Sequence, residues 1–173
     1  MLQIHEVLLF VIIQGVVFAA CSRKNIVPQG TATQIDTYRH IQENGVPIDL
    51  EASRAIDGNN NGLYATLDFS HTDTEGSTAW WLLTLNKVYL ICEIKVYCRV
   101  SNDKIDGANI WVGIGLSGGN YNGAVNIGTI KYESETNPYV FSDLKIRTSS
   151  VQIQGGKGSL QLAEVEVFEI DCK

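Results

Sequence analysis

After an apolar opening, the chain runs as short stretches in which hydrophobic and polar residues alternate, separated by clusters of Gly and Asn. A period of two puts every second side chain on one face, which is the pattern of a half-buried strand. The span from Val88 to Val100 shows it best, with Ile94, Val96 and Cys98 alternating against Lys95, Tyr97 and Arg99. Cys92 is assigned to the same face as Ile94 and Val96. Trp80 to Leu85 precedes this span. Asn109 to Leu116 follows it, with Ile110, Val112 and Ile114 on one face. Ile127 to Tyr132, Tyr139 to Leu144, Ser150 to Gln154 and Leu160 to Ile170 complete the series. In the last, Leu162, Glu164, Glu166 and Phe168 are assigned to one face. Breaks fall at Asn59-Asn60-Asn61-Gly62, Asp106-Gly107, Gly118-Gly119-Asn120 and Gly155-Gly156-Lys157-Gly158. No long stretch after the opening has helical periodicity. Many short strands with Gly/Asn turns predict an all-β sandwich or barrel. There is no repeat or linker, so one domain is expected, over 25–173.

The opening itself is nearly free of polar residues from Val7 to Val17 and ends in Phe18-Ala19-Ala20-Cys21. That length suits a signal-peptide core and is short for a membrane span. Residues 1–20 are therefore read as a secretory signal, although Met1 to Glu6 carries no Lys or Arg. A secreted, extracellular protein with no membrane insertion is expected. The four cysteines are Cys21, Cys92, Cys98 and Cys172. In one strand, Cys92 and Cys98 would stand about 20 Å apart, beyond disulfide reach, and read as buried thiols. Cys21 and Cys172 sit at the two ends of the mature chain and form a candidate bridge.

The balance of 13 Lys+Arg against 19 Asp+Glu gives a formal charge of −6, with no basic run, which excludes nucleic acid as a partner. Hydrophobic residues at 45% against 18% charged residues support a folded core. No G-x-S-x-G, H-E-x-x-H, P-loop or G-x-G-x-x-G occurs, and neither His40 nor His71 has a nucleophile or metal spacing around it, so no enzyme is read. The loop Arg54-Ala55-Ile56-Asp57-Gly58-Asn59-Asn60-Asn61-Gly62 offers carboxylate, amide and carbonyl oxygens on a tightly turning chain. Those are the donors calcium takes, and they equally describe an Asn/Asp/Gly turn. Glu164 and Glu166 stand two apart on one strand. Adjacent Trp80 and Trp81 must face opposite ways, so one is core; Trp111 is also read as core.

Taken in order, Ala55-Ile56-Asp57-Gly58-Asn59, His71, Trp80-Trp81, Arg99 with Lys104, and Leu162-Ala163-Glu164-Val165-Glu166-Val167 resemble the F-type lectin (fucolectin) family. The resemblance implies a jelly-roll β-sandwich of the discoidin-like, galactose-binding-like kind. It also implies a calcium-dependent binder of terminal L-fucose or similar sugars, with fucosylated glycans as partners and a homo-oligomer for avidity. It implies Ca²⁺ held by side chains of Asp57, Asp68 and Glu164 and by backbone carbonyls of Arg54, Asn59 and Ala163. It carries sugar binding to His71, Arg99 and Lys104, with Tyr64 and Leu63 beside the sugar methyl. Here Arg99-Val100-Ser101 replaces the family's Arg-x-Asp, and Lys104 follows two residues early. Asp103 is the carboxylate at hand to brace the two cations. The family's usual disulfide would join Phe69 and Ala163, so both partners are replaced together. The alternative is a discoidin-like interaction module with a decayed sugar site and structural calcium only.

Overall fold

The computed structural model describes residues 21–172 other than 102 and 135; the segment read as a signal, 1–20, lies outside the described residues. The strands are β1 Cys21–Asn25, β2 Gly30–Gln34, β3 Arg39–Ile41, β4 Pro47–Asp49, β5 Ser70–His71, β6 Trp80–Cys98, β7 Asn109–Gly113, β8 Val125–Thr129, β9 Tyr139–Phe141, β10 Ile146–Gln154 and β11 Gln161–Cys172. Short 3₁₀ turns lie at Val27–Gln29, Ala52–Ile56, Gly76–Thr78 and Asp103–Ile105, and the described residues contain no α-helix. None of them forms a helix long and apolar enough to cross a membrane.

The long strand β6 belongs to two layers. Its first half pairs antiparallel with β2 and β10, and β10 continues to β7 and β8. Its second half pairs with β11 and β9, and β11 continues to β1 and β5. Trp81, Leu83, Ile110, Val112, Val151 and Ile153 come from the first layer. Ile94, Val96, Leu162, Val165 and Val167 come from the second. All are buried in one continuous cluster, so the layers face each other as an all-β sandwich. In the first layer, register sets Ala32, Leu83, Val151 and Val112 side by side, a row of inward residues crossing four strands.

Irregularities in the ladders make the corners. Opposite β10, the register jumps from Thr84 to Tyr89 on β6 while β10 advances from Ser150 to Thr148. The excess holds exposed Asn86 and Lys87, which explains why the pattern reads as two strands on either side of these residues. The buried Thr148 hydroxyl satisfies the backbone at the break. Its Oγ1 accepts from Ser150 N and Gly113 N and lies 2.6 Å from Gly113 O.

Two further register shifts separate β6 from β11. One falls between Phe168 and Glu169, opposite Cys92. It lets Ile91 and Ile94 both enter the main core, while Cys92 stays outside that cluster with its Sγ 3.4 Å from Phe168 O. The alternation reading had put Cys92 on the face of Ile94 and Val96; the bulge removes it from that face. Cys92 and Cys98 are buried free thiols, as expected. The other shift falls between Leu162 and Glu164. The bulged residue is Ala163, so Leu162 joins the main core with Val165 and Val167, while Glu164 does not share its face. The alternation expected for this strand, imperfect in the sequence and placing Leu162 and Glu164 on one face, breaks here for that reason. Ala163 packs instead with Phe69, Leu50 and Leu67 in a second buried cluster. Phe69 and Ala163, the pair standing where the family's bridge would be, therefore meet as apolar packing.

β1 and β11 set Cys21 opposite Cys172 in register. Directly opposed antiparallel residues have Cα separations within the disulfide range. Peptide mapping of oxidised protein is expected to recover a Cys21–Cys172 cross-link, with Cys92 and Cys98 alkylated only after unfolding. Were the bridge formed, closing a loop of this length would contribute about 5 kcal/mol in the chain-entropy model. Recovery of all four thiols free from the folded, oxidised protein would rule the bridge out.

Candidate functional site

His71 ends the short strand β5, and its backbone is fully engaged. Its N–H donates to Leu50 O at 2.9 Å, and its carbonyl accepts from Tyr38 N at 2.9 Å and from Gln34 Nε2 at 3.1 Å. The imidazole lies against the Tyr38 ring, with centroids 4.4 Å apart. β5 pairs with β11 so that His71 stands opposite Gln161. Gln161 Nε2 is 3.0 Å from His71 Nε2 and 3.0 Å from Ser159 Oγ. An amide nitrogen can only donate, so His71 Nε2 accepts and its proton resides on Nδ1. Burial, helped by the positive charges of Lys104 and Arg99, lowers the His71 pKa to about 4. The ring is neutral across the physiological range.

Arg99 follows the last residue of β6, and its N–H donates to Gln161 O at 3.1 Å, which extends the β6–β11 ladder by one rung. Asn137 clamps the strand end: its Oδ1 accepts from Cys98 N at 3.0 Å and its Nδ2 donates to Cys98 O at 3.2 Å. The Arg99 guanidinium lies 5.2 Å from the centroid of the Tyr64 ring. Its Nε is buried without a hydrogen-bond partner, and so is Gln161 Oε1. Buried orphans of this kind are rare in folded proteins.

Tyr64 reaches Arg99 because Gly62 lets its loop lie on the strand end. A Cβ at Gly62 would sit 2.4 Å from Cys98 O, and Val100 N donates to Gly62 O at 2.8 Å. Tyr64 and Leu63 are both exposed, as a contact with a sugar methyl would require.

Lys104 lies in the turn Asp103–Ile105, which buried Ile105 anchors in the core. The Gly155–Gly158 loop lies directly against it. A Cβ at Gly158 would be 2.9 Å from the Lys104 side chain, and Gly158 N donates to Lys104 O at 3.0 Å. Lys104 Nζ donates to Glu75 Oε1 at 3.1 Å. Glu75 is thus the carboxylate that braces this cation. Asp103, assigned that task from sequence, is held by Lys157 instead. The structure therefore brings His71, Arg99, Tyr64 and Lys104 to one end of the sandwich. Sequence reasoning missed Gln161, Ser159, Tyr38 and Glu75, because strand pairing and loop packing bring them in and no local motif marks them.

The acidic residues meet next to this end. Asp57 follows the 3₁₀ turn, with its Oδ1 accepting from Asn59 N at 2.8 Å, and Asn59 Oδ1 accepts from Asn61 N at 3.0 Å. The bulge at Ala163 directs Glu164 toward this loop, where its Oε2 accepts from Gly58 N at 3.2 Å. Glu164 is buried. Burial, followed by the negative charges of Asp57 and Glu166, pushes its pKa up to about 7 against the opposing Gly58 hydrogen bond. The Arg54 guanidinium ties the loop to the carbonyls of Asp49 and Leu67. Among the described residues no group of three His, Cys, Asp or Glu side chains is gathered for a metal. Two carboxylates beside a turn rich in amide and carbonyl oxygens still fit a hard cation, whose charge would relieve Glu164.

Fold and site together give a β-sandwich with a polar end where a neutral imidazole lies within the field of two cations. No family model matches the chain. Fucolectin-4 of Anguilla japonica is 29% identical over 154 residues, 83% of this chain and 79% of that protein. Fucolectin-3 of Anguilla japonica is 35% identical over 120 residues, 67% of this chain and 65% of that protein. The crystal structure of an F-lectin (fucolectin) from the serum of striped bass, Morone saxatilis, matches with a TM-score of 0.69 at 26% identity, over 87% of this chain. The chain spans about half, 48%, of the length of the striped bass protein and just under two thirds of Fucolectin-3. The chain is thus similar, over most of its own length, to proteins of the F-type lectin (fucolectin) family. Like these relatives it is a binding protein and not an enzyme.

An imidazole held near 4 has a consequence for pH. The unfolded ring takes its proton near 6.5 and the folded ring only near 4, so between them the unfolded state binds more protons. The His71 contribution to stability should be complete above 6.5 and fall away as pH drops toward 4. NMR titration of the His71 ring is expected to show a midpoint near 4; a midpoint near 6.5 would contradict this environment.

Proposed function

We propose that this protein is a secreted, calcium-dependent lectin that recognises terminal L-fucose or a closely similar sugar on glycans. The observation that carries the reading is the convergence of His71, Arg99 and Lys104 from β5, the end of β6 and the following turn, with Arg99 Nε buried and unpartnered. Cationic donors and a neutral imidazole give charge-assisted hydrogen bonds to vicinal hydroxyls and a ring oxygen. Exposed Tyr64 and Leu63 offer an apolar contact to a sugar methyl. The names of the relatives, fucolectins, point the same way.

In this reading Ca²⁺ is structural. Asp57 and Glu164 would hold it, with the carbonyls of Arg54, Asn59 and Ala163 and with Asp68 as the remaining donors. The ion would tie the loop after Ala52–Ile56 to β11 and so steady the neighbouring Tyr64 segment. A single shallow site binds weakly, so assembly of several copies would supply avidity on a glycan-bearing surface. One observation favours the alternative of a discoidin-like interaction module with a decayed sugar site: Lys104 is engaged by Glu75, and His71 Nε2 is engaged by Gln161.

Calorimetric titration with L-fucose in excess calcium separates the two readings. Saturable binding that His71→Ala or Arg99→Ala weakens at least ~100-fold, a loss of about 3 kcal/mol, supports the sugar site. A folded protein that does not respond at tens of millimolar fucose would leave the alternative standing.

For calcium, thermal melts with and without chelator are the check. At calcium ~100-fold above its Kd the folded state should gain about 2.7 kcal/mol, and Asp57→Asn should abolish most of that gain. Identical melts in calcium and in chelator would remove the ion from the account.

A further inference from the structure

On the outer face of the first layer, next to the loop that packs against Lys104, lies a cavity of about 270 Å³. Trp111, Tyr121, Asn109 and Gln154 line it, with Ser77 and the Gly155-Gly156 turn, and no lining residue is charged. A Cβ at Gly156 would be 2.7 Å from Lys104 O, so the cavity and the Lys104 turn stand on either side of this loop.

Trp111, read from sequence as core, belongs to neither buried cluster. It is half-buried and stacks on Tyr121 with centroids 4.5 Å apart and planes 17° from parallel. Tyr121 is 42% exposed. The loop bearing it is pinned: Gly115 N donates to Ser149 Oγ at 3.1 Å, Leu116 N to Ser150 Oγ at 3.2 Å and Gly119 N to Gln152 Oε1 at 3.2 Å. Gly118 lies so close to Trp80 that a Cβ there would be 2.1 Å from the indole, so only glycine fits. The fold thus holds in place a stacked pair, half-buried Trp111 under exposed Tyr121, that belongs to neither buried cluster.

The amides around the pair have their acceptors spent and their donors little used. Asn109 Oδ1 accepts from Asn126 Nδ2 at 3.0 Å and from Thr129 Oγ1 at 2.7 Å, while its Nδ2 has only a long 3.4 Å contact to Gly107 O. Gln154 Oε1 accepts from Gln152 Nε2 at 2.7 Å, while its Nε2 reaches only Ser77 O at 3.5 Å. An aromatic wall, two oriented NH₂ groups and no charge suit a ligand with one apolar C–H face and a rim of hydroxyls.

We propose that this cavity is a second saccharide site, taking one neutral pyranose and distinct from the His71 site. The ring stacks its C–H face on the free face of Tyr121, whose other face lies on Trp111, and its hydroxyls accept from Asn109 Nδ2 and Gln154 Nε2. The test is an NMR titration of the full mature protein, with methyl β-D-galactopyranoside and methyl β-D-glucopyranoside as probes. It follows the Trp111 indole and the Asn109 and Gln154 side-chain amides up to ~100 mM, which detects even a ~10 mM Kd. Saturable shifts with at least one glycoside are expected. Tyr121→Ala and Gln154→Ala should each weaken them, roughly tenfold for loss of the Tyr121 ring face, and His71→Ala should leave them unchanged. Both altered residues lie outside the main core, so retained spectral dispersion is expected. The proposal is overturned by the absence of saturable shifts with both glycosides. It is equally overturned by shifts that survive Tyr121→Ala and Gln154→Ala, or by shifts lost in His71→Ala.

Discussion

The pairing of β6 with β11 is the interaction on which the polar end with His71, Arg99 and Glu164 depends. Six residue pairs run from Phe168 opposite Glu93 to Leu162 opposite Cys98, and Gln161 O then accepts from Arg99 N. This ladder delivers Arg99, Gln161 and Glu164 to the same end of the molecule. The bulge at Ala163 divides their tasks. A straight strand would give Leu162 and Glu164 the same face; the extra residue keeps Leu162 in the main core and turns Glu164 toward Gly58. The space beside the bulge is filled by Phe69 and Ala163. Burying a phenylalanine there contributes about 1.5–3 kcal/mol, similar to what a cross-link contributes.

The two halves of this end differ in charge. One side gathers Arg99 and Lys104 around an imidazole they help to keep neutral. The other gathers Asp57 and Glu164; burial first, and then the Asp57 charge, push the Glu164 pKa up to about 7. Further along the same layer, Glu93 is buried and paired with Arg23 at 2.9 Å, with Lys95 at 3.7 Å on its other oxygen. Ionic partners are thus supplied wherever the outer face of β6 would otherwise bury a lone charge.

Glycine enters the architecture as a means of close approach. Gly62 brings the Tyr64 loop onto the end of β6, Gly158 brings the β10–β11 loop onto Lys104, and Gly118 folds a loop over Trp80. Each joins segments far apart in the chain, and each would place a Cβ inside an occupied volume. In the sequence these glycines look like ordinary turn residues. Their use becomes visible only when the partner surface is present.

The strands were legible wherever one face meets the core and the other meets water, as in Ile94 to Arg99, because alternation records burial directly. So were the all-β class and the buried thiols of Cys92 and Cys98, while His71, Arg99, Lys104, Asp57 and Glu164 stand out only through the family resemblance and not through any local period. Short strands such as β3, β4 and β5 were not legible, since two or three residues carry no period. Nor were the bulges at Cys92 and Ala163, which a strict period of two assigns to the wrong face. Tertiary structure alone decided that Gln161 and Ser159 hold the imidazole, that Glu75 and not Asp103 braces Lys104, and that Trp111 faces a cavity. The physical reason is range. Side-chain alternation is a property of neighbours along the chain, whereas partners such as His71 and Gln161 are chosen by strand register and loop packing across ninety positions of sequence.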